Sequence, residues 1–197
     1  MLEFLGVEAG MTTLDVIASG GYYTEALSEA VGPGGKVYAQ NNAFVLQLRD
    51  GRNEKAIAAR LANDRLPNVM RWDRELNDLG IDPGSVDVAI TALNFHDIYN
   101  GSGSDAAAAV LKAIHRALAD DGVLGLIDHA GNPGNDNEKL HRIEEAKVIE
   151  TAVAAGYLLE ATSDVLRNPA DDRTLFVFDP TLERNTDRFV LKLRKAP

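Results

Sequence analysis

Apolar positions along this chain fall into short runs, and stretches of helical period separate most of them. Thr13–Ala18, Lys36–Gln40, Asn68–Trp72 and Val123–Asp128 have the composition and length of strands. Val86–Leu93 (VDVAITAL) is almost wholly apolar and reads as a central strand covered on both faces. Helical period runs through Tyr22–Ala30, Phe44–Asn63, Asp105–Leu118 and Asn137–Ala155. Gly32-Pro33-Gly34-Gly35 closes the first of these. Ser104 is placed to cap the third, and Asp120-Asp121-Gly122 stops it. Tyr157–Leu166 and Asp187–Arg194 read as two last strands with no helix between them, so they predict an antiparallel pair at one edge.

Strands that alternate with helices need right-handed crossovers, which put helices on both faces of a parallel sheet. The pattern therefore predicts one domain over residues 1–197 with an α/β, doubly wound, mostly parallel seven-stranded sheet and a C-terminal antiparallel β-hairpin. About a dozen residues precede the first strand. So short a lead-in predicts an open cleft, or a homo-oligomer in which a second subunit closes it.

The 45% hydrophobic and 25% charged fractions are those of a globular chain, and 197 residues bury enough surface to need no staple. The formal net charge of −10 argues against nucleic acid and against anionic membrane surfaces, since both select basic patches. Arg184, Arg188, Lys192, Arg194 and Lys195 are the local exception and read as a solvated strand face. Without cysteine there is no disulfide, thiolate metal site or Cys nucleophile. The first ten residues lack the basic start and apolar core of a signal peptide, and no apolar run is long enough to span a membrane, so a cytoplasmic location is expected.

The chemistry should lie at the carboxyl ends of the strands. The first strand runs into Asp15-Val16-Ile17-Ala18-Ser19-Gly20-Gly21-Tyr22, where two glycines permit a tight turn and close approach of a ligand to backbone. The following helix presents free N–H groups there, suited to a carboxylate or phosphate. No G-x-G-x-x-G is present, so the dinucleotide fingerprint is not met.

This segment resembles motif I of class I S-adenosylmethionine-dependent methyltransferases, E/D-x-G-x-G-x-G. Asp15 matches the acidic residue and Gly21 the last glycine, while Ile17 and Ser19 stand at the first two glycine positions. The chain also resembles a family of predicted bacterial methyltransferases with a GG-[YW]-[YW]-T-E turn, here Gly20–Glu25. Val37–Asn41 (VYAQN), Phe95–Asp97 (FHD), Asp128-His129 and Leu166–Leu175 carry the rest of that likeness over nearly the full length. The resemblance implies a class I methyltransferase-like Rossmann fold, S-adenosylmethionine as cofactor and a small-molecule substrate. It implies cofactor contacts from Asp15, Ser19, Gly20, Gly21, Tyr22 and Asn94. Asn41 stands where the ribose-binding acid is usual, and Asp73 beside Trp72 where the adenine is covered.

His96 is a candidate general base, because an unperturbed imidazole titrates near neutrality. Asp97 would orient it or bind substrate, and His129 at the next strand end would reach the same cleft. No two of these histidines and aspartates have ligand spacing on one helix, so no metal is expected. His115 and His141 fall within predicted helices and read as packing or surface residues. Two alternatives stand beside methyl transfer. One is a non-catalytic or degenerate adenosyl-ligand-binding domain acting through assembly, as Ile17, Ser19 and Asn41 suggest; the other is a different Rossmann-type enzyme, such as a nucleotide-dependent oxidoreductase.

Overall fold

The computed structural model describes residues 1–196. Its centre is a seven-stranded sheet in the order β3-β2-β1-β4-β5-β7-β6. The strands are β1 (Thr12–Val16), β2 (Lys36–Asn41), β3 (Val69–Asp73), β4 (Val86–Ala92), β5 (Leu118–His129), β6 (Tyr157–Ser163) and β7 (Arg188–Lys195). β1 to β5 run parallel, and β7 lies antiparallel between β5 and β6. This is the class I methyltransferase Rossmann-like sheet. The order reverses between β1 and β4, which opens a crevice at their carboxyl ends.

The burial follows the pattern of the chain. Val88, Ala89 and Ile90 of β4 and Leu124, Leu126 and Ile127 of β5 are almost wholly covered. The basic C-terminal residues pair on the outer strands: Lys192 and Arg194 both reach Glu160 of β6. The short lead-in is itself structural. Residues Leu2–Leu5 form α1, and Leu5 lies where a side chain on β5 would otherwise sit. A Cβ at Gly125 would come within 2.4 Å of the Leu5 side chain, so the glycine admits the helix.

The remaining helices are α2 (Tyr22–Val31), α3 (Ala43–Leu61), α4 (Phe95–Ala117), α5 (Asn137–Leu140) and α6 (Glu145–Ala154). Three depart from the predicted spans. α3 is broken at Leu48–Gly51, where Arg49, Asp50 and Gly51 take left-handed backbone. The Asn53 amide donates to the Val45 carbonyl at 2.9 Å and so satisfies one group that the break releases. α4 starts ten positions before Asp105 and is interrupted at Gly103 (φ 86°), the residue before the predicted cap Ser104. Its early start follows from a tertiary cap: the buried Asp128 carboxylate accepts the His96 N–H at 2.8 Å. The predicted helix Asn137–Ala155 is two helices, parted where His141 turns left-handed (φ 53°) and Ile143 bridges to Ala130 beside β5.

Asp15, inside β1, accepts from the Thr24 hydroxyl at 2.6 Å beneath the turn. Burial pushes its carboxyl up to about 7, against the lowering effect of the Thr24 hydrogen bonds. The folded form then keeps a proton that the unfolded chain loses near its ordinary value of 3.8. Stability from this group is therefore whole below that value and falls as pH rises through about 7. Asp15→Asn should flatten this slope and raise stability above neutrality by up to about 4 kcal/mol. Urea unfolding on the two sides of the window measures it; an unchanged slope contradicts the assignment.

Candidate active site

The crevice holds a cavity of about 540 Å³, of the size that small-molecule sites have. Ile17 and Ser19 line it from the turn after β1, Asn42 from the end of β2, and Phe44, Val45 and Leu48 from the first part of α3. Glu75 and Asn77 enter from the loop after β3, and Asn94, Asp97, Ile98 and Val110 from α4 and the turn before it. A second cavity, about 550 Å³, adjoins it through Glu75 and Asn77 and is lined by Glu54, Asp73, Arg74 and Asp78. Phe44 lines the first cavity yet is 72% exposed, so the mouth opens to solvent.

Of the predicted donor contacts, Ser19 and Asn94 line this cavity and the six others do not. Gly20 and Gly21 face protein: a Cβ on Gly20 would meet Ala56 at 3.0 Å, and one on Gly21 would meet Ile57 at 2.7 Å. The second half of α3 fills that side of the turn, and Arg60 donates to the Gly20 carbonyl at 2.7 Å. The glycine pair thus seats a helix, and the open space lies on the opposite side, at Ile17 and Ser19. Tyr22 points outward, 75% exposed. Asp15 sits beneath the turn, joined to Thr24.

Asn41 is buried and spent on the turn. Its carbonyl accepts the Ser19 N–H at 2.8 Å, and its amide donates back to the Ser19 carbonyl at 3.2 Å. This double latch replaces the expected ribose contact. Asn42 is the side chain at that strand end that reaches the cavity. Asp73 lines the second cavity and is already paired with Arg71 at 2.7 Å. Trp72 does not line either cavity; its indole N–H donates to the Leu79 carbonyl at 2.6 Å, and its ring packs edge-on against Tyr38.

The acid–base cluster is more closely knit than its sequence spacing suggests. Asp128, fully buried at the end of β5, stands 2.7 Å from His96 Nδ1. His96 Nε2 lies 3.3 Å from Asp97 Oδ1, and His141 Nδ1 lies 3.0 Å from the same oxygen. The His96 ring is 5.7 Å from that of His129, centre to centre. His129 Nδ1 lies 2.7 Å from the Thr186 hydroxyl, in the segment between β6 and β7.

These surroundings correct the expected proton roles. Burial alone would lower the His96 pKa, but the Asp128 charge and hydrogen bond, followed by Asp97, outweigh it and hold it at about 10. His96 therefore carries its proton at neutrality and is not the free base that its type suggests. It also stands behind the cavity wall, where Asp97 alone of the three predicted catalytic residues is exposed to the space. Burial pushes His129 down to about 4, helped by the nearby His96 charge and opposed by Asp128. Burial would raise the Asp97 carboxyl, but His96 and His141 hold it below its ordinary value.

His141 was the residue hidden from sequence reasoning. It belongs to the turn after α5, and its ring packs edge-on against Phe176 at 5.3 Å. Its neighbour Arg142 anchors this turn from inside. The fully buried guanidinium meets Asp171 at 2.9 and 3.1 Å and donates to the Ala130 and Leu175 carbonyls. Asp171 in turn accepts the Asp187 N–H at 2.7 Å. The whole 164–187 segment is thereby held over the end of β5, and Phe178 reaches Arg49 in the α3 break at 5.5 Å.

No family model and no curated protein matches this chain. Solved structures do. A SAM-dependent methyltransferase from Aquifex aeolicus is 21% identical, with a TM-score of 0.70 over 98% of this chain and 86% of that one. A TehB-like SAM-dependent methyltransferase from Corynebacterium glutamicum is 18% identical, with a TM-score of 0.64 over 98% and 85%. The [4+2]-cyclase SpnF superposes with a TM-score of 0.72 at 14% identity, over 99% and 78%. The likeness is one of fold, and the fold serves more than one reaction.

Arg142→Ala should leave Asp171 buried without its partner. A loss of roughly 3–5 kcal/mol and a melting temperature roughly 10 °C lower are expected. Calorimetry checks this, and Arg142→Lys, which cannot make the forked contact, should recover only part of the loss.

Proposed function

We propose that this chain is a single-domain S-adenosylmethionine-dependent methyltransferase that acts on a small molecule. The observation that carries the reading is the cavity at the reversal of strand order, which runs from the Ile17–Ser19 turn to Asp97 at the start of α4. The residues there fit an adenosyl donor. Ser19, Asn42, Asn94 and Glu75 offer polar groups on the strand-end side, and Val45, Leu48, Ile98 and Val110 give an apolar wall. Ile17 forms part of that wall without filling the space, and Tyr22 is turned away from it.

Glu75 and Asn42 are the side chains placed to take ribose hydroxyls, since Asn41 is committed to the Ser19 backbone. The donor, when bound, supplies a methyl group activated on a sulfonium centre. The protein's part is to align the acceptor and exclude water. Asp97 stays ionised beside His96 and His141, so its carboxylate can accept a hydrogen bond from an acceptor hydroxyl or amine and orient it. His96, protonated between Asp97 and Asp128, fixes the position of that carboxylate. The second reading, a donor-binding domain without turnover, draws on the Asn41 latch, which leaves the usual ribose-acid position without a charge.

Thermal unfolding with S-adenosylhomocysteine separates these readings. At about a hundredfold excess over Kd the ligand should add about 2.7 kcal/mol, a rise of several degrees. Ala109→Trp, which fills the cavity from α4, should abolish the rise while the free protein melts as before. Stabilisation by NADH and not by S-adenosylhomocysteine would overturn the methyl-donor reading. Binding without methyl transfer to any acceptor in a panel would favour the second.

A further inference from the structure

His96, Asp97 and His141 come from two separate parts of the chain, yet their donor atoms all lie within 4.8 Å of one another. Metal–ligand bonds of about 2.0–2.1 Å at tetrahedral angles put ligand atoms roughly 3.3 Å apart. Here the separations from Asp97 Oδ1 are 3.3 Å to His96 Nε2 and 3.0 Å to His141 Nδ1. We propose that these three side chains form a site for one divalent transition-metal ion of the zinc class, which on binding displaces the proton that His96 Nε2 holds toward Asp97 in the empty site, with its remaining coordination open to the cavity that Asp97 lines.

Three further observations support a site built to hold an ion. Metal-binding imidazoles are usually oriented by a carboxylate on the other ring nitrogen, and His96 Nδ1 has the buried Asp128 carboxylate at 2.7 Å. His141 is held in left-handed backbone and backed by Phe176, while its neighbour Arg142 is clamped on Asp171. The donor set is two imidazoles and one carboxylate, which suits zinc and similar ions better than magnesium or calcium. Three protein ligands leave positions for an oxygen or nitrogen of a bound small molecule. Use of the ion to anchor the methyl acceptor rests on the methyl-transfer reading; its binding does not.

The test is equilibrium binding to the untagged, chelator-stripped full chain. Zn²⁺ is titrated in competition with a chromophoric indicator, and Co²⁺ is followed by its visible bands. One ion per chain is expected. Asp97→Asn and His141→Ala each remove a direct ligand, so each should weaken binding by at least about tenfold, the lower range seen for second-shell losses. Both side chains are partly exposed, at 59% and 40%, so the variants should keep the circular dichroism of the parent. His115→Ala, remote from the cluster, should bind like the parent. Failure of the parent to compete for Zn²⁺, or unchanged affinity in His141→Ala, overturns the proposal. The S-adenosylhomocysteine shift reads the other hypothesis independently: a stabilised chain that ignores Zn²⁺ loses the metal site alone, and a Zn²⁺-binding chain that ignores the nucleoside loses the methyl donor alone.

Discussion

One buried carboxylate organises the carboxyl end of this sheet. Asp128 takes the backbone N–H of His96 on one oxygen, and the His96 ring and the His129 N–H on the other. A carboxylate without water needs such partners, since an unpaired charge in that position would cost several kcal/mol. Meeting the need fixes the start of α4 against the end of β5. It also sets which nitrogen of His96 faces Asp97. The cap, the ring orientation and the charge on the imidazole thus have a common origin.

A second buried pair does for the loops what Asp128 does for the strands. Arg142 and Asp171 are far apart in sequence and fully buried together, and between them they satisfy four backbone groups. Pairs of this kind add little net stability over apolar packing, because both ions lose their water. Their effect here is placement. The turn carrying His141 and the segment carrying Phe176 and Phe178 are held to a single arrangement beside the cavity.

The β1 turn shows how a motif can keep its shape while its parts change duty. Gly20 and Gly21 receive α3, and Asn41 holds Ser19 from the next strand. The ligand-sized space is left to residues at the edges of the motif, Ile17, Ser19 and Asn42. Similar sheets support methyltransferases and a cyclase, so the side chains around that space, and not the sheet, decide the reaction.

The sequence by itself determined the sheet, because strand runs and crossovers are local patterns: six strands lie within a few residues of their predicted spans, β5 begins five residues before its own and takes in the predicted stop Asp120-Asp121-Gly122, and the antiparallel ending follows from the missing last helix. It also pointed to Ser19, Asn94 and Asp97, which do line the cavity. The helix breaks at Leu48–Gly51 and His141–Glu144 escaped it, since the compensating groups, Asn53 for one and Asp171 for the other, act outside the periodic pattern. The protonation of His96 and the neutrality of His129 escaped it as well. Both depend on burial and on a charge supplied by another strand, quantities that exist only once the chain is packed. His141 joined the cluster for the same reason: its neighbours are 44 positions away in the chain and 3.0 Å away in space.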